Sequence, residues 1–233
     1  MQIIETTGLG VRANVVTLVR TETPLKFVLF PMIHMGEQAF YDEVGKRVGE
    51  CDVILAEGVG PGSAVATAIT AAYRVNERFG RTGLVVQNLP RPRSTAPVIR
   101  SDLSGKDFQG EWRSLPLPLR LGAAVAFPLI LLGTVVFGTR RLLAGQLPMD
   151  DLPSRDEILK GDEWTDRMDA VMLGERDQRL CQALAEIHEA RSAEPISVAV
   201  VYGAGHMRAV VEFMGARFRY WPQSGEWLTV FRL

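Results

Sequence analysis

Val198-Ala199-Val200-Val201-Tyr202-Gly203-Ala204-Gly205-His206 is the stretch on which the fold class turns. Short apolar runs rich in β-branched residues read as buried strands. Two other runs have the same design. Phe27-Val28-Leu29-Phe30-Pro31-Met32-Ile33 leads into His34, and Val53-Ile54-Leu55-Ala56 leads into Glu57 and Gly58. Each run ends on a side chain that can bind a metal or move a proton. In an open α/β sheet, ligand sites lie outside the carboxyl ends of the strands. His34, Glu57 and His206 are therefore expected to converge, although 149 residues separate the second from the third.

Working outward, Val15–Val19 and Phe27–Phe30 read as two strands of a hairpin, joined by the polar turn Thr21-Glu22-Thr23-Pro24. Gln38 to Gly49 reads as a helix, with Phe40, Val44 and Val48 on one face. Cys51 to Ala56 is the next strand, so the order strand–helix–strand predicts a βαβ unit. Ser63 to Phe79 is helical, Leu84 to Val86 a short strand, and Pro90 to Pro97 a loop. Val98 to Ser101 is a strand ending on Asp102. Thr165 to Arg191 reads as one long helix. A helix from Met207 to Met214 follows the His206 strand, and Phe218–Trp221 with Leu228–Phe231 is expected to close the sheet as a hairpin.

Composition narrows the function classes. The 233 residues suffice for one large domain, and 47% are hydrophobic, which excludes wholesale disorder. A net charge of −1 gives no electrostatic case for nucleic-acid binding. Cys51 and Cys181 have no close spacing and read as reduced thiols, with no zinc pattern. The N-terminus has no basic region ahead of an apolar core, so no signal peptide is expected. The expected location is the cytoplasm, with contact at a membrane periphery left open.

That opening comes from Leu121–Gly138, 18 residues without a charge, flanked by Arg120 and by Arg140-Arg141. This is the lower edge of what crosses a bilayer. A single crossing would separate His34 and Glu57 from His206. A re-entrant or surface-lying helical hairpin broken at Pro128 and Gly133 is allowed, and contact with a second subunit or a membrane surface is favoured over spanning.

Each candidate side chain has a chemical role and an ordinary structural one. A neutral imidazole such as His34 or His206 is a metal ligand or general base, or else a core histidine bonded to the backbone. A strand-end carboxylate such as Glu57 or Asp102 faces a metal, an arginine or a helix N-terminus. The glycines of Gly203-Ala204-Gly205-His206 let the chain approach a ligand closely. Arg176 and Asp177 fall mid-helix, where charges usually form a solvated face. Arg176 could instead grip a carboxylate through its planar fork. His188 is expected to be solvent-exposed. Gly58-Val59-Gly60-Pro61-Gly62-Ser63 lacks both the dinucleotide fingerprint and a Walker lysine, and no GxSxG or HExxH occurs.

Five segments in order resemble the TraB/PrgY/TIKI family of the erythromycin-esterase-like and ChaN-like group. They are Ile33-His34-Met35-Gly36, Leu55-Ala56-Glu57-Gly58, Arg100-Ser101-Asp102-Leu103, Glu175-Arg176-Asp177 and Gly203-Ala204-Gly205-His206-Met207. The family pattern pairs two GxxH motifs with a glutamate. Here the second GxxH is intact, and Pro31 stands where the first would have glycine. The resemblance implies a TIKI-like, metalloprotease-like peptidase using manganese or cobalt, or a TraB- or PrgY-type protein that shuts down peptide pheromone signalling, often at a membrane.

The expectation is thus an α/β fold with a mixed central sheet, helices packed on it, and two βα halves meeting at one strand-end cleft. One domain covers residues 1–233, with an apolar helical insertion at about 115–147. The expected function is metal-dependent hydrolysis of a peptide or ester bond, the alternative a non-catalytic peptide binder. His34, Glu57 and His206 would hold a divalent metal, possible as Mn or Co, that lowers the pKa of a bound water. Glu57 or His34 would be the base, and Arg176 would bind substrate or developing charge. Asp102, Glu37, Gly203 and Gly205 would touch substrate or support these groups. The expected partners are a peptide or small-molecule substrate, and a homo-oligomer mate or membrane surface at residues 121–138.

Overall fold

A computed structural model describes residues 2–58, 64–87, 96–101, 105–145 and 174–233. The chain runs β1 (Ile4–Thr7), β2 (Gly10–Arg20), β3 (Thr23–Met32), β4 (Met35–Gly36), α1 (Gln38–Val48), β5 (Val53–Ala56), α2 (Ala64–Phe79), β6 (Val85–Val86) and β7 (Val98–Arg100). There follow α3 (Gly105–Ser114), α4 (Leu117–Phe137), α5 (Arg140–Ala144), α6 (Glu175–Arg191), β8 (Ser197–Gly203), a 3₁₀ turn (Ala204–His206), α7 (Met207–Phe218) and β9 (Trp221–Arg232).

The central sheet is mixed and helices pack on it, as expected of an α/β fold. Its order is β1-β2-β3-β8-β5-β7, and β9 also pairs with β2. β3, β8, β5 and β7 run parallel, while β1, β3 and β9 are antiparallel to β2. The core lies along β8, where Val198, Ala199, Val200 and Tyr202 have no exposed surface. A strand with parallel neighbours on both sides is covered on both faces, which is why this run lacks alternation. Each such Val, once buried, contributes roughly 1.5–3 kcal/mol.

The predicted β3–α1–β5 unit forms, with α1 burying Phe40, Tyr41, Val44 and Val48. Its two strands are not neighbours, however: β8 inserts between them, with Met32 beside Gly203 on one side and Ala56 beside Val201 on the other. Pro31 is tolerated in β3 because the ladder to β2 extends only as far as Leu29.

Three local readings are corrected, and a fourth holds. The closing hairpin is instead one long strand. Arg219 takes a left-handed conformation (φ 58°) after α7, and β9 then runs without a turn along β2. The apolar segment is one continuous helix, α4, that passes through Pro128 and Gly133 unbroken. The short strand expected at Leu84–Val86 forms as β6 and pairs with β4, apart from the main sheet. His188 is buried, its Nδ1 3.0 Å from the Tyr220 hydroxyl and its ring on Phe218. The charges around it in sequence belong to the outer face of α6.

Among the described residues no helix is long and apolar enough to cross a membrane. The uncharged part of α4, Leu121–Phe137, is 17 residues long. It rises about 26 Å, short of a hydrocarbon core of roughly 30 Å. β3 and β5 precede α4 and β8 follows it, yet the three share one sheet, so a single crossing by α4 is also topologically impossible.

Candidate functional site

The site grows from the carboxyl ends of β5 and β8. The ladder between them runs one residue past β5, with the Glu57 N–H donating to the Val201 carbonyl at 2.9 Å. This puts the Glu57 side chain beside the end of β8, where its Oε2 accepts the Gly203 N–H at 2.5 Å. A Cβ on Gly203 would lie 3.3 Å from that Oε2 and 3.5 Å from His206 Cδ2. Glycine is needed here for close approach, since its φ of −51° is open to any residue.

After Gly203 the chain makes the 3₁₀ turn through Gly205 that ends on His206. The imidazole is 3% exposed and packs edge-on against Tyr202, ring centroids 5.7 Å apart. Its Nδ1 is 2.6 Å from Asp177 Oδ1, and its Nε2 is 3.8 Å from Glu57 Oε1. A carboxylate only accepts hydrogen bonds, so the Asp177 contact places a proton on Nδ1. The 3.8 Å between Nε2 and Glu57 Oε1 exceeds a direct hydrogen bond.

Arg176 and Asp177 lie at the start of the described part of α6. Arg176 is buried and pairs through Nη2 with Glu57 Oε1, while Asp177 reaches His206. Adjacent helical positions thus supply a cation to the carboxylate and an anion to the imidazole. Sequence spacing gave no hint of this, because Glu57 and His206 both lie far from this helix along the chain. Asp177 joins the candidate set, which did not include it.

Other predicted residues lie apart. His34 is exposed, stacks on Tyr73 at 5.1 Å, and has no hydrogen bond or ion pair to Glu57 or His206 among the described residues. Glu37 precedes α1 and binds Arg140 Nη1 at 2.6 Å, in a clamp that also joins Arg140 to the carbonyls of Thr82 and Arg232. Asp102 and residues 59–63 of the glycine-rich run lie outside the described residues, as does the 165–173 part of the long predicted helix. Its neighbour Ser101 is described, and its Oγ is 2.8 Å from the Tyr202 hydroxyl.

A divalent ion needs several convergent donors. Among the described residues no group of three His, Cys, Asp or Glu side chains is arranged to hold one. Both Glu57 oxygens are engaged, by Arg176 and by the Gly203 amide, and one His206 nitrogen is engaged by Asp177. This donor set does not fit a resident metal. Cysteine chemistry is no better served. Burial, with Asp177 nearby, pushes the Cys181 thiol up to about 11, far from a thiolate at neutral pH. A groove of about 520 Å³ between α6 and α7, lined by Asp177, Cys181, Phe213 and Arg217 among others, meets the site only at Asp177.

Comparison with protein-family models, curated proteins and solved structures gives no match for this chain.

Proposed function

We propose that the chain is a hydrolase of peptide or ester bonds in which His206 is the general base. The observation that supports this is the Asp177–His206–Glu57 line, with Nδ1 held at 2.6 Å and Nε2 3.8 Å from a carboxylate. Asp177 fixes the tautomer and steadies the imidazolium once it forms. His206 Nε2 takes a proton from water as the water attacks the carbonyl carbon, then returns it to the leaving amine or alcohol. Glu57, fixed by Arg176 and the Gly203 amide, orients that water. Solvent reaches the cleft past Glu57 and Asp177, whose side chains keep 15% and 22% exposure.

Manganese or cobalt, implied by the family resemblance, would be held by His206 and Glu57 and would have to displace Arg176. No step above runs through it. The screen uses nitrophenyl esters and short peptides, with His206→Ala beside the wild type. Loss of about 10²–10⁴-fold in kcat/KM is expected, the usual worth of a general base. Unchanged turnover in His206→Ala would sink the reading, and saturable peptide binding by the wild type without product would replace it with the binding alternative. Metal per chain after manganese loading, beside a His34→Ala, His206→Ala double variant, decides the cofactor. One ion in the wild type and none in the variant would restore it.

A further inference from the structure

α4 faces outward with the wrong residues for water. Leu117, Leu121, Val125 and Leu129 repeat every four residues, and all are at least 58% exposed. Ile130 and Phe137 extend the same apolar surface, Phe137 at 76%. The partly buried positions of this helix include Ala123, Ala126 and Gly133, and its packing partner is the alanine-rich α2. On this helix Leu121, Val125, Leu129 and Ile130 are exposed, while Leu119, Ala123, Ala126, Gly133 and Val135 are partly buried. An exposed apolar face of this kind marks an interaction surface.

Charge identifies the occupant. Residues 112–149 contain four arginines (Arg113, Arg120, Arg140 and Arg141) and no Asp, Glu or Lys. The other 195 residues carry 22 cations and 27 anions, so the positive segment is a local feature of an acidic chain. Arg140 is committed to Glu37, while Arg113 and Arg141 are exposed near the two ends of α4. A second copy of this chain would bring arginine ends against arginine ends, with no acidic residue between 112 and 149 on either side to offset them. An anionic surface with an apolar layer beneath satisfies both the cations and the aliphatic row.

We propose that α4 docks, lying flat, on a bilayer that carries anionic headgroups, with Leu121, Val125 and Leu129 dipping below them and Arg113 and Arg141 at headgroup level. The helix lies on the membrane and does not cross it, as the sheet topology requires. The Arg140 clamp to Glu37 and to the Thr82 and Arg232 carbonyls makes this attachment rigid with the sheet.

The test is co-sedimentation of the full chain with vesicles of phosphatidylcholine alone and of phosphatidylcholine mixed with phosphatidylglycerol. Pelleting is expected with the mixed vesicles, weakened by salt, and several-fold less with the neutral ones. Arg113→Gln and Arg141→Gln together should cut the partition coefficient by roughly fivefold per arginine. Val125→Glu with Leu129→Glu should abolish pelleting while the circular dichroism spectrum stays that of the wild type. Failure of the wild type to pellet with mixed vesicles would overturn the proposal. So would equal pelleting of the Val125→Glu, Leu129→Glu variant. A wild-type dimer in sedimentation velocity that this variant dissociates would instead assign the face to a second copy.

Discussion

Glu57 is the residue on which the site depends most. It is tied to the end of β8 by its own backbone N–H, by the Gly203 amide and, through Arg176, to the start of α6. Removing one member of a buried ion pair leaves the other charge uncompensated, at a cost of about 3–5 kcal/mol. Arg176→Met is therefore expected to lower the stability measured by urea titration by about that much. Glu57→Gln with Arg176→Met should cost less than the sum of the single changes, because no charge is then left alone. Gly203→Ala adds a methyl 3.3 Å from Glu57 Oε2, and overpacking of this kind costs about 1–3 kcal/mol. Asp177→Asn keeps the shape but not the carboxylate that orients His206. Its expected mark is a lower kcat with KM little changed. An unaltered kcat would make Asp177 merely a packing residue. Of these side chains, Glu57, His206 and Gly203 were legible in the sequence because each follows an unbroken apolar strand. Asp177 was not, since its partner lies 29 positions away and only folding brings them together.

Among elements, α6 and α7 pack beside the sheet and enclose His188. Burial first, and then the neighbouring Arg20, hold its pKa below the ordinary histidine value, with Glu189 acting weakly in the opposite direction. A lowered pKa in the folded state means that the unfolded chain binds the proton more readily. His188 thus contributes stability that is present above about pH 6.5 and is lost as pH falls through its lowered folded value. Replacing His188 with Gln should flatten the decline in Tm between about pH 7 and 5. A slope equal to the wild type's would show that other groups set it. The sequence reading placed His188 in solvent because charge pattern alone cannot say which stripe of a helix meets a neighbour. For α4 the converse held. Its apolar composition was plain, but proline and glycine within it pointed to a break, whereas the helix runs through both.

At the scale of the whole molecule, the sheet is closed by the last part of the chain. β8 supplies the only strand pairing that joins β3 to β5 among the described residues, and β9 runs along β2 for most of its length. A fragment ending at Gly145 would keep β3 and β5 with their apolar faces and lose the strand between them. It is expected to be unfolded or aggregated by circular dichroism and gel filtration, although it contains 145 residues. Native secondary structure in that fragment would overturn this account of the fold. Because so many contacts join distant segments, folding should be slower than for a helical protein of similar size.

The apolar runs by themselves determined that this chain builds a buried parallel strand set with helices between, and that ionisable residues stand at the strand ends. Burial of β-branched side chains is local information, repeated in each run. Only the tertiary structure decided that β8 lies between β3 and β5, and that Glu57 meets Arg176 as well as His206. It also decided that His34 remains outside this cluster and stacks on Tyr73. Strand order and side-chain partners depend on contacts across more than a hundred residues, and their free energy is set by how whole layers pack. No window of sequence contains that term.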